Sequence, residues 1–159
     1  MKNYFFHTVL AIVGLVLLTS FVLKSRNYQT ECISTDNDGY ITIRIWDTKK
    51  GEKYSAENAR KDAIHALLFS GVSGGSGCAS QPPILNNGKE QESFKSIKNS
   101  FFRRSGKWSY FTRSAVSDDV LPNSLGDSKS KVYKVSVAKD RLRRYLEEKK
   151  IIKSLTNGF

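Results

Sequence analysis

Residues 40–47 read YITIRIWD, in which Ile41, Ile43 and Ile45 alternate with Thr42, Arg44 and Trp46. Period-two alternation puts the isoleucines on one face of an extended strand, so this is a half-buried strand. A turn around Gly51 follows, and then the period changes. In SAENARKDAIHALLFSG, Ala56, Ala59, Ala63, Ala66 and Leu67 recur at helical spacing, with Ser55 at the N-cap position and Gly71 as a stop. A helix with so much alanine on one face can lie close on a sheet. Residues 90–102 repeat the helical period through Phe94, Ile97 and Phe101. After a break at Gly106, Trp108, Tyr110 and Thr112 alternate with Ser109 and Phe111, which predicts a second strand. KVYKVSVA predicts a third, with Tyr133, Val135 and Val137 together, and residues 140–150 a final helix with Leu142, Tyr145 and Leu146 inward.

Residues 71–88 and 114–130 carry Gly, Ser, Pro and Asn signals and read as loops. Residues 25–38 are polar, contain TDND, and read as a linker. The resulting order predicts an α+β domain over 39–153: one small, mainly antiparallel sheet with helices packed on one face. Residues 154–159 form a tail, and there is no internal repeat.

The start, MKNYFFHTVLAIVGLVLLTSFVLKSR, changes the picture. Its apolar run of about 19 residues would span about 28 Å as a helix, enough for a bilayer. Residues 1–24 are therefore expected to form a hydrophobic N-terminal helix that serves as a membrane anchor or as a cleaved signal peptide. No A-x-A cleavage site is present, and the flanking positive charges balance, so both readings stay open. Cys32 lies in YQTEC, nine residues past Leu23 and without an apolar residue three places before it, which argues against lipid attachment. The two cysteines, Cys32 and Cys78, can pair in an oxidising compartment or remain free thiols. With no C-x-x-C and no Cys/His cluster, zinc is not expected.

GVSGGSGCASQPP, residues 71–83, is the densest glycine stretch. It lacks the Lys-Ser/Thr that closes a phosphate-binding loop, and it follows a helix rather than a strand. GVSGG matches G-x-S-x-G literally, yet no histidine follows Ser73; the two histidines are His7 and His65. His65 reads as an ordinary helix residue, and the adjacent Asp118 and Asp119 as solvated loop charge. No catalytic, cofactor-binding or metal-ligating set emerges, and no cofactor or small-molecule substrate is expected. The stretch reads as a helix stop and flexible loop, pinned by a Cys32–Cys78 disulfide.

Net charge is +11 and concentrated late: residues 129–153 hold ten Lys/Arg against three Asp/Glu. Such a surface favours anionic lipid, nucleic acid or an acidic protein. Phe101, Phe102, Trp108, Tyr110 and Phe111 are interleaved with Arg103, Arg104, Lys107 and Arg113, a composition that can stack and neutralise a polyanion. The candidate partner-binding residues are Arg103, Arg104, Arg141, Arg143 and Arg144. Arg141 and Arg144 lie three apart and share a helix face, while Arg143 points elsewhere.

The helix SAENARKDAIHALL after a strand, and YKVSVAKDRLRRYLEEKKII as strand into final helix, resemble a small envelope domain. That domain is found at the N-terminus of flagellar assembly protein T and in related surface lipoproteins, and the similarity spans roughly residues 39–152. The resemblance implies a non-enzymatic accessory of a cell-envelope assembly, with a periplasmic or other extracytoplasmic body and no catalytic residues. The expected partners are an envelope assembly or an anionic surface, with membrane contact through the N-terminal segment. The alternative is a polyanion- or nucleic-acid-binding module using the basic aromatic hairpin, and export would disfavour nucleic acid.

Overall fold

Ile41, Ile43 and Ile45 are fully buried, as their alternation requires. They sit on β2 (Ile41–Asp47) in the computed structural model, which describes residues 26–118 and 130–154. The hydrophobic segment 1–24 and residues 155–159 lie outside the described residues. The other strands are β1 (Tyr28–Thr35), β3 (Val116–Ser117) and β4 (Val132–Val137). They form one antiparallel sheet in the order β1-β2-β4-β3. Three α-helices complete the α+β fold: α1 (Ala56–His65), α2 (Gly88–Phe102) and α3 (Lys139–Glu148).

The helices cover the isoleucine face. Ala59 and Ala63 on α1 are fully buried against it, beside Val135 and Val137 of β4. Alanine here keeps the helix backbone near the sheet. Ser55 Oγ accepts from the Asn58 N–H, and Asn87 Oδ1 accepts from the Glu90 N–H, so α1 and α2 both start on side-chain caps. Phe94 and Phe101 of α2 and Leu142 and Leu146 of α3 close the core.

The first helix does not stop at Gly71 by simple fraying. Residues Ala66–Ser70 continue it as a π turn, and the Gly71 N–H donates to the Ala66 carbonyl five residues back, at 2.8 Å. The Leu67 and Leu68 carbonyls instead accept from the Ile84 and Leu85 N–H groups, at 2.8 and 3.0 Å. Gly71 has φ +78°, which favours glycine.

Four sequence expectations change, the first being that Val116–Ser117, read within a loop, pair with β4 as β3. Residues 28–35, read within a linker, form the edge strand β1. The 108–112 stretch, read as a strand, is a 3-10 turn over Lys107–Phe111; Ser109 donates from backbone N–H and from Oγ to the Gly106 carbonyl, at 3.1 and 2.9 Å. Asp118, read as solvated, is buried in an ion network; Asp119 lies outside the described residues.

The glycine loop lies along the outer edge of β1. The Cys32 N–H donates to the Ser73 carbonyl at 2.8 Å, and the Ser73 N–H donates to Thr30 Oγ1 at 3.3 Å. Cys32 and Cys78 form a disulfide with Cα atoms 5.6 Å apart. A Cβ on Gly75 would sit 2.3 Å from the Cys32 carbonyl oxygen, and one on Gly77 1.6 Å from that of Ile33. Glycine is what lets this loop reach the strand backbone and cover an otherwise open edge.

Candidate functional site

The sheet face opposite the helices carries charge. Arg44, at the centre of β2, donates from Nη1 to Glu31 Oε2 at 2.7 Å and from Nε to Asp118 Oδ2 at 2.6 Å. Lys134 reaches the other Asp118 oxygen at 3.1 Å. Glu31, Arg44 and Lys134 are direct register partners across three strands. Among the described residues, Arg44 and Lys134 are thus held by carboxylates of their own fold.

The basic surface lies elsewhere and is built on α3. Leu142 and Leu146 occupy the buried stripe of that helix. Arg141, Tyr145 and Lys149 therefore line up along its next row, at i, i+4 and i+8. Lys149 Nζ lies 5.9 Å from the Tyr145 ring centre, and Lys107 Nζ lies 6.0 Å from the same ring and 4.7 Å from Tyr110. Tyr110 is 66% exposed. Arg103 joins Lys107, Tyr110, Tyr145 and Lys149 around a hollow of about 450 Å³. At the other end of the row, the Arg113 guanidinium stands 4.1 Å from the Tyr40 ring centre. Arg113 first, then Arg141, hold the Tyr40 phenol below its ordinary value by hydrogen bonding. Among the described residues, Arg103, Lys107, Arg113, Arg141 and Lys149 make no salt bridge to a carboxylate. Asp140 and Glu148 are the acidic neighbours on α3.

The five arginines singled out from sequence thus separate. Arg103 and Arg141 stand at opposite ends of one stripe. Arg144 is exposed on α3, one residue before Tyr145. Arg143 is half-buried, with Nε 3.2 Å from Glu147 Oε1. Arg104 turns toward α1, where Glu57 is held below the usual carboxylate range mainly by Lys61 and in smaller part by Arg104. Lys107, Arg113, Tyr40 and Lys149 were missing from that set. The i, i+4, i+8 spacing on α3 was the available signal for Lys149. The expected aromatic hairpin does not form: Phe101, Trp108 and Phe111 are buried, and Trp108 Nε1 donates to the Arg103 carbonyl at 3.0 Å.

A separate cleft of about 860 Å³ opens between β1, the π turn and α2. Tyr28 Oη lies 2.7 Å from His65 Nδ1 and 3.2 Å from Ser70 Oγ. His65 packs against Phe69, ring centres 4.7 Å apart. Burial first, then Arg26 and Lys98, push the His65 imidazole down to about 3, so it is neutral at pH 7. Burial raises the Tyr28 phenol, which stays protonated. Ser73 lines the same cleft, as a wall residue whose backbone is held by β1.

No protein-family model, curated protein or solved structure matches this chain.

Proposed function

We propose that the protein is a non-enzymatic cell-envelope accessory that docks electrostatically onto an anionic surface of a membrane or a larger assembly. The observation that carries this reading is the Arg141–Tyr145–Lys149 row, flanked by Arg113 at one end and Lys107 and Arg103 at the other, with its cations unpaired among the described residues. Charges left unneutralised by their own fold are available to a partner, and the tyrosines add flat apolar area beside them. The Cys32–Cys78 disulfide supports an oxidising compartment, where lipid headgroups and acidic envelope proteins are the accessible anions. Residues 1–24, as an anchor or export signal, would bring the body there.

The test uses a chain beginning at Arg26, its folding first checked by cooperative thermal unfolding. Binding is measured to vesicles of phosphatidylglycerol and phosphatidylcholine, and to phosphatidylcholine alone, across a salt series. The double reversal Arg141→Glu/Lys149→Glu should weaken binding to the anionic vesicles by about tenfold or more and flatten the salt dependence. Reversing the exposed pair Lys49→Glu/Lys53→Glu, on the turn after β2, changes net charge equally and should do much less. Equal effects of the two pairs would reduce the stripe to bulk charge. Tighter binding to single-stranded DNA than to anionic vesicles would favour the polyanion module instead, with Tyr110 as its stacking surface.

A further inference from the structure

The cleft beside β1 has the parts of a binding site, and it is independent of the α3 stripe. Among the described residues no carboxylate lines it, whereas Arg26, Lys95 and Lys98 do. Arg26 is paired with Asp62 and Lys95 with Glu92, but Lys98 has no carboxylate partner among the described residues. Lys98 Nζ instead stands 5.6 Å from the Phe69 ring centre, at the cleft wall. On the floor, Tyr28 Oη bridges His65 Nδ1 and Ser70 Oγ, and the neutral imidazole offers one donor and one acceptor. The π turn has a structural consequence here: its wider winding sets His65, Phe69 and Ser70 on one wall, and such turns recur at functional sites.

We infer that this cleft binds a small organic anion, a polar molecule bearing a phosphate or carboxylate group, anchored by Lys98 and oriented by the His65–Tyr28–Ser70 chain. The aromatic wall of Phe69 and Tyr28 receives the body of the ligand, and Lys98 receives its charge. A bound anion neutralises the field of Arg26 and Lys98 at His65, so ligand occupancy reports itself on the imidazole.

The experiment uses the full chain in non-ionic detergent and follows the His65 imidazole by NMR, with His65→Gln assigning its signal against His7. The probes are glucose 6-phosphate, glucuronate and uncharged glucose. A saturable shift of the His65 signal is expected with the phosphate probe, the carboxylate probe or both, and the better of the two assigns the anion. Lys98→Ala, at an exposed position, should weaken that binding by about tenfold or more, and Lys98→Arg should restore most of it. Lys149→Ala should leave the curve unchanged, which separates this cleft from the α3 stripe. Absence of saturation with both anions, equal binding of glucose, or indifference to Lys98→Ala would each overturn the proposal.

Discussion

Burial keeps His65 neutral, and that makes the residue a source of acid sensitivity. Its imidazole titrates at about 3 in the folded chain against 6.5 when unfolded, so between those values the unfolded chain binds a proton the folded one refuses. The stabilisation is complete above pH 6.5 and is lost as pH falls toward 3. The urea midpoint should therefore drop between pH 7 and pH 5, above the range in which carboxylates ordinarily titrate. His65→Gln, neutral at both pH values, should show a smaller drop; an unchanged drop would move the effect to other groups. A second pair of residues checks the facing of α3. Leu146→Ala should cost about 2–5 kcal/mol by opening a cavity, whereas Arg144→Ala should stay within about 0.5 kcal/mol in chemical denaturation. The facing of Leu142 and Leu146 was legible from their spacing alone. The burial of Asp118 was not, because it depends on Arg44 and Lys134, which lie 74 and 16 residues away on other strands.

At the scale of elements, the helices and the two central strands could be read because each carries one clear period. The edge strand hid for a physical reason. Its fully buried position is Cys32, with Thr30 beside it, and neither is a large aliphatic residue. A register shift between Cys32 and Ser34 then breaks the alternation that would have betrayed it. Conversely, Trp-Ser-Tyr-Phe-Thr imitates a strand, yet it winds into a 3-10 turn whose first carbonyl, that of Gly106, is taken by Ser109. The Cys32–Cys78 pairing was open to inference; that the loop lies flat on β1 needed the strand to be seen. That arrangement predicts opposite outcomes for two glycines. Gly77→Ala must push the loop off the Ile33 carbonyl and should cost about 1–3 kcal/mol. Gly88→Ala, with nothing within 4 Å of the new methyl, should be neutral or stabilising by up to about 1 kcal/mol, through helix propensity. Thermal unfolding of both variants, with size-exclusion chromatography for Gly77→Ala, reads stability and any edge-to-edge association together.

For the whole molecule, the boundary of the folded unit matters more than its length suggests. A chain starting at Arg26 keeps β1, the Arg26–Asp62 ion pair and the disulfide; one starting at Gly39 loses all three. Circular dichroism should show cooperative melting for the first and a much lower or broadened transition for the second, and equal melting points would make β1 dispensable. The charge distribution is also a property of the whole. Arg44 and Lys134 are paired on the outer sheet face, whereas the late basic run on α3 is joined by Arg103, Lys107 and Arg113 from a distant part of the chain. The covered sheet edge, finally, imposes an order on biosynthesis. The β1–β2 hairpin can close within about 1–10 μs of leaving the ribosome. Cys78 follows Cys32 by 46 residues, which at about 5–20 residues per second is a delay of roughly 2–9 s. A chain whose Cys78 has not yet joined Cys32 therefore offers β1 as a template for another strand, so late or failed closure of this one bond favours association between copies.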